Sequence, residues 1–213
     1  MHANEKNNQP PLYLLLASMS RYRAQCLSKY PIEFSQWSPN IDESPFKNET
    51  PEALVLRLAH VKADAGLQWI AALARKQKSS PVYSHVLGSD QVMVLGDVMI
   101  GKPHTHGKAI AQLQAMSGQL VRFYTSLCVL NRAGEFKTGI EITEVQFREL
   151  DDSHIIQYLQ LEQPFDCAGS FKSEAGGVGL CHSITGRDPN ALVGLPMILL
   201  SDLLLEFGYS VFG

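Results

Sequence analysis

The sequence predicts an α/β fold. Three observations carry that expectation: a continuous apolar run at 12–17 ending in a serine-rich corner, capped helical stretches that alternate with such runs, and two long alternating segments around residues 132–135. Taken in order, residues 12–17 read as a buried strand. Ser20 then caps a helix over about 21–29, whose first amides, around Ser20 to Arg23, point outward and favour an anion. Residues 32–38 alternate weakly as a second strand, and 39–50 form a polar loop carrying the adjacent acids Asp42 and Glu43. Thr50 caps a long helix with Pro51 at its first position. Leu54, Leu58, Val61 and Ala65 repeat on one face of it, and Lys62 beside that stripe reaches a cleft edge.

Residues 82–88 read as a buried strand, and 92–95 with 98–101 as a hairpin closed by Gly96-Asp97, which leaves Asp90 between the two. Thr105 caps a helix that turns Ala109, Ile110, Leu113 and Met116 inward and stops at Gly118. Val121, Phe123, Thr125, Leu127 and Val129 alternate, as do Thr143, Val145 and Phe147 beyond the Arg132-Ala133-Gly134-Glu135 turn, so a second sheet lobe is expected. Residues 153–162 form a short helix, and 196–207 a last one, with Gly208 beyond it.

The composition bounds the function. With 213 residues and 45% hydrophobic content there is material for one compact or bilobed unit over 12–213, behind an Asn-rich disordered tail at 1–11. The net charge of −3 gives no field for a nucleic-acid backbone. No apolar run is long enough for a bilayer, so no membrane partner is expected. The cysteines Cys26, Cys128, Cys167 and Cys181 have neither zinc nor disulfide spacing, which fits a reducing cytoplasm. His104 and His106 lack a third ligand, so no zinc is assigned, and Cys167 reads as a packing residue rather than a nucleophile.

The densest functional signal is Phe165-Asp166-Cys167-Ala168-Gly169-Ser170-Phe171-Lys172-Ser173-Glu174, followed by 186–196. Small residues, charges and hydrogen-bonding side chains stand there in place of an apolar period, as where backbone bends around a ligand. Each candidate also has an ordinary reading. Asp90 alone reads as a turn residue, Lys62 and Arg23 as solvated helix charges, Lys102 and Glu43 as loop charges, and Ser18 as a helix-start hydroxyl. Tyr22 alone reads as core, Gln91 as a surface strand residue, and Glu174 as a partner for Lys172. Asp188 caps a short turn that Asn190 braces.

Together, the corner at 14–23, Asp42-Glu43, Gly88-Ser89-Asp90-Gln91, Gly101-Lys102-Pro103, Phe171-Lys172-Ser173-Glu174 and 186–196 resemble the Maf family of nucleoside triphosphate pyrophosphatases over 12–208. The resemblance implies an α/β fold with an elongated mixed sheet and flanking helices, two lobes around a nucleotide cleft, and hydrolysis between the α and β phosphates. It implies Asp90 as proton acceptor, with Ser18, Arg23, Glu43, Lys62 and Lys102 as polar cleft positions. Cations must offset a polyphosphate before water attacks, a task for Arg23, Lys62 and Lys102, while Glu43 and Asp90 suit magnesium or manganese.

Tyr22, Gln91 and Glu174 fall where the family sorts substrates, and the combination is similar to the branch acting on 7-methyl-GTP. A cationic base gains on an aromatic face, and Glu174 suits the guanine N1 and N2 edge. Arg21 stands where many members carry proline, and Tyr22 where this branch carries tryptophan. The alternatives are the dTTP and UTP branch, or a nucleotide-sensing regulator of cell division without turnover. A homodimer is one assembly compatible with this reading.

Overall fold

The structure is a computed structural model describing residues 11–77 and 83–212. The expected tail therefore lies outside the described residues, apart from Pro11, as does Val82. The first apolar run forms β1 (Tyr13–Leu16), and it is continuous because both faces of the strand are buried. Leu14 and Leu16 enter one core and Leu15 and Ala17 another, the two-residue alternation of a strand covered on each side.

Ser20 caps α1 (Arg21–Leu27) through the amide of Arg23, and the helix ends two residues short of the expectation. β2 (Glu33–Gln36) follows, then the 27-residue α2 (Pro51–Gln77), about 40 Å long at the usual rise. The predicted stripe holds at Leu54 and Leu58, which are buried, but not beyond them. Val61 lies exposed, while Val55, Ala59, Lys62, Ala63, Gly66 and Ile70 turn inward, so Lys62 stands on the buried face itself. The small residues let the helix lie close to the sheet. A Cβ on Gly66 would meet Val86 Cγ1 at 2.7 Å, and one on Gly88 would meet Ala63 N at 2.9 Å and Ala59 O closer still.

A second correction concerns β3 (His85–Leu95), one continuous strand with Asp90 in its middle rather than between two elements. β4 (Val98–Ile100) pairs antiparallel with its end across a turn in which Gly96 holds φ +58°. α3 (His106–Met116) begins at the Thr105 cap, and Gly118, at φ +68°, turns the chain after it. β5 (Leu120–Asn131) and β6 (Phe136–Phe147) form the expected long hairpin. α4 (Asp152–Glu162), β7 (Cys181–Thr185) and α5 (Met197–Glu206) complete the chain.

Among the described residues no separate second sheet forms. One mixed sheet of seven strands runs β2-β1-β3-β5-β6-β7, with β4 beside β3. β1 is parallel to β2 and β3, and the remaining pairs are antiparallel. The two lobes arise from what covers the sheet. On one face, α1 and α5 pack with Leu87, Leu127 and Val129 at one end, while α3 and α4 pack with Met93, Phe123 and Phe147 at the other. α2 covers the opposite face, against Val86, Cys128 and Leu130 and, toward its start, Val92 and Val94. Among the described residues, no helix is long and apolar enough to cross a membrane.

Candidate active site

The sheet has a notch. On its full-length edge β3 pairs with β5, but on the other β1 covers only residues 85–87 and β4 only 93–95. Among the described residues the stretch 88–92 thus has no strand on that side, and Asp90 and Gln91 within it border a cleft of about 520 Å³. That size lies within the ~300–1,000 Å³ common for small-molecule sites. The cleft is walled by the β1–α1 corner, α2, Lys102, the segment around Asp166 to Glu174, and the turn at Leu192 to Gly194. All nine predicted site residues (Ser18, Tyr22, Arg23, Glu43, Lys62, Asp90, Gln91, Lys102 and Glu174) line it.

On the α2 side, three of them touch. Lys62 Nζ lies 2.6 Å from Asp90 Oδ1 and 2.7 Å from Glu43 Oε1, so one ammonium joins a strand acid to a loop acid. Lys62 and Asp90 are buried, whereas Glu43 is open to solvent. Burial raises the Asp90 pKa above the ordinary aspartate range against the pull of Lys62 and Arg23. For Glu43, desolvation is outweighed by Lys62, Lys102 and Arg23, and its pKa falls. The loop carrying Glu43 is fastened by Arg57 of α2, which donates to both carboxylate oxygens of Glu49 and to Ser44 O. Its guanidinium also sits 3.9 Å from the centroid of the Phe46 ring.

Arg23 is no loose helix charge. Its Nη1 donates to Ser89 O on the bare strand edge (2.9 Å) and to Ser18 Oγ (3.4 Å), and its Nε to Gly194 O (3.0 Å). Desolvation lowers its pKa, countered by Asp90 and Glu43. Ser89 Oγ donates to the same Gly194 carbonyl, so the turn is tied to β3 twice over. Gln91, one residue from Asp90 and therefore on the opposite face, donates from Nε2 to Thr125 Oγ1, Ala191 O and Leu192 O. These bonds fix the amide and leave Oε1 without a partner among the described residues.

Elsewhere along the cleft, Arg21 Nη2 donates to the Tyr22 hydroxyl at 2.6 Å, and its guanidinium carbon stands 4.7 Å from the ring centroid. One aromatic face expected for a ligand is therefore already in contact with a cation. Glu174 does not pair with Lys172, which binds Glu162 instead at 3.3 Å. Partial burial, then the field of Asp166, raises the Glu174 pKa against Lys172 and Arg21. Lys102 is exposed, with no ion pair among the described residues.

Asp188 caps α5 from ten residues away: Oδ2 accepts from Ile198 N (2.6 Å) and Oδ1 from Asn190 N (2.8 Å). Burial pushes the Cys167 thiol up to about 12, which keeps it protonated and removes it as a nucleophile. No group of three His, Cys, Asp or Glu able to hold a metal lies among the described residues, His104 and His106 included. Sequence reasoning missed Arg57, Gly194 and Asp166. Arg57 falls at no motif, Gly194 acts through its carbonyl, and the only signal for Asp166 is its place in the 165–174 stretch.

The family described as Maf-like protein matches residues 13–207. The 7-methyl-GTP pyrophosphatase of Nitrosococcus oceani is 48% identical over 94% of this chain and 96% of its own length. That of Vibrio vulnificus is 48% identical over 94% and 97%, and that of Paraburkholderia xenovorans 45% over 97% of each. Among solved structures, a HAM1 protein from Coxiella burnetii aligns at 15% identity over 64% of this chain and 73% of its own, with a TM-score of 0.42, too distant a likeness to carry an argument.

Proposed function

Since the chain belongs to the Maf family, we propose that it is a nucleoside triphosphate pyrophosphatase, a hydrolase converting 7-methyl-GTP to 7-methyl-GMP and pyrophosphate in the cytoplasm. Its role is the removal of modified nucleotides. The relatives bearing that activity in their names match nearly end to end, and the observation that carries the chemistry is the Glu43–Lys62–Asp90 cluster at the sheet notch.

In this reading water attacks the α phosphorus, the bond from that phosphorus to the bridging oxygen breaks, and pyrophosphate leaves with the electron pair. Asp90 accepts the proton of the attacking water. A carboxylate whose pKa is raised by burial is the stronger base, and a rigid strand with Lys62 at 2.6 Å holds it in one place. Arg23, oriented by three acceptors, and exposed Lys102 offset phosphate charge, and Ser18 lies beside Arg23 as a further polar contact. Tyr22, Gln91 and Glu174 face the base. Glu174 suits a guanine edge, which pyrimidines lack.

Magnesium or manganese fits the donors present. Lys62 takes one oxygen of each carboxylate, so Asp90 Oδ2 and Glu43 Oε2 have no partner among the described residues. Two hard oxygens next to a polyphosphate are the usual protein share of a magnesium site, the phosphates completing the shell. When bound, such an ion offsets charge on the phosphate oxygens.

The test is Asp90→Asn. Pyrophosphate release from 7-methyl-GTP with magnesium should disappear while circular dichroism stays that of the parent, and retained turnover would remove Asp90 from its role. A panel of 7-methyl-GTP, GTP, dTTP and UTP checks the substrate, and equal rates on all four would overturn the specificity.

A further inference from the structure

A second group of charges lines the cleft apart from the Lys62 cluster. Asp166 and Glu174 both face it, and neither has an ion pair among the described residues. Lys172 is held instead by the carboxylate and the carbonyl of Glu162, each at 3.3 Å. Two carboxylates without ion pairs and an aromatic ring lining one cleft make a place for a cation. The chain's own cation is already there, with the guanidinium of Arg21 at 4.7 Å from the Tyr22 centroid and hydrogen-bonded to its hydroxyl. Arg21 also feels the field of Asp166, and Glu174 that of both Asp166 and Arg21.

We propose that Asp166 joins Glu174 in selecting a positively charged base, and that Arg21 rests on Tyr22 as a stand-in cation which such a base displaces. The inference rests on the 7-methyl-GTP reading above and adds Asp166 and Arg21 to the residues that choose the base. The physical reason is exchange. A cationic base takes over the contact with the ring and the field of the two acids that the guanidinium gives up, whereas a neutral base restores the stacking but not the charge. Neither Asp166 nor Arg21 touches the Glu43–Lys62–Asp90 cluster in any hydrogen bond or ion pair, so their effect falls on base choice.

The experiment compares kcat/KM for 7-methyl-GTP and GTP, which differ by one methyl group and one charge, in the parent, Asp166→Asn and Arg21→Ala. Inhibition by 7-methyl-GMP and by GMP gives a binding readout independent of turnover. Asp166 and Arg21 are exposed, so effects are screened and modest. Asp166→Asn should lower the 7-methyl-GTP to GTP ratio about threefold at low salt, with the difference shrinking as salt rises. Arg21→Ala should lower KM for 7-methyl-GTP about threefold and tighten 7-methyl-GMP by a similar factor.

An unchanged ratio in Asp166→Asn, or weaker 7-methyl-GMP binding in Arg21→Ala, would overturn this inference while leaving the proposed activity standing. A parent enzyme that does not prefer 7-methyl-GTP overturns both. Thermal melts of the two variants matching the parent exclude misfolding as the cause.

Discussion

Replacing Gly88 by alanine should damage the site without touching any of its side chains. The new Cβ would lie 2.9 Å from Ala63 N and nearer still to Ala59 O, both backbone atoms of α2 that cannot rotate away. Comfortable contact needs ~3.5 Å or more, so helix and strand must separate locally by about 1 Å. Lys62 lies one residue before Ala63, and Asp90 two residues after Gly88. Their 2.6 Å bond would then open to about 3.6 Å, outside hydrogen-bonding range. Overpacking of this kind costs about 3 kcal/mol. For a chain of 213 residues that is a fall of roughly 6–12 °C in Tm.

A displacement of ~1 Å at a positioned catalytic group lowers turnover about 100-fold. Pyrophosphate release at 25 °C and a thermal melt test both halves of the argument. Parent-like Tm and kcat/KM would refute it, and a lowered Tm with full activity would refute the link from helix docking to Lys62.

Gly107→Ala is the matched control: nothing lies within 4 Å of its added Cβ in the first turn of α3, so stability should rise by about 0.5–1 kcal/mol in a urea titration. Asp188→Ala removes the buried acceptor of Ile198 N and Asn190 N and should cost about 2–4 kcal/mol, measured in the same way. Burial pushes the His85 imidazole down to about 4 from 6.5. The unfolded chain therefore takes up a proton before the folded one does. Its contribution to stability is whole above pH 6.5, shrinks as pH falls toward 4 and levels off below. His85→Phe, which keeps ring contacts with Phe207 and Tyr209, should flatten that part of the profile, and identical urea midpoints for parent and variant from pH 7 to 4 would count against it.

Local signals in the sequence were reliable where local forces decide. The caps at Ser20 and Thr105, the Gly96 turn and the β5–β6 hairpin depend on a few adjacent residues and stand close to where the pattern puts them. β3 did not read as one strand because Gly88, Ser89 and Asp90 interrupt the apolar run. What sustains it is distant: α2 fills the space over Gly88, and β5 pairs with all eleven residues. Lys62 read as a charge beside a stripe because a buried lysine is exceptional without a partner, and its partners come from residues 43 and 90. The composition of the cleft was legible through its blocks. Its wiring through Gly194 O, Ala191 O and Leu192 O was not, because a carbonyl acceptor leaves no mark on residue identity.

The missing strand segment beside 88–92 also bears on how the molecule moves. β3 and β5 pass unbroken through both halves, held by pairing from His85 with Asn131 to Leu95 with Val121. A drawing together of the two halves of the sheet would therefore twist that two-stranded ribbon rather than swing on a joint between them. The floor of the cleft is thus set by the sheet, whatever its side-chain walls do.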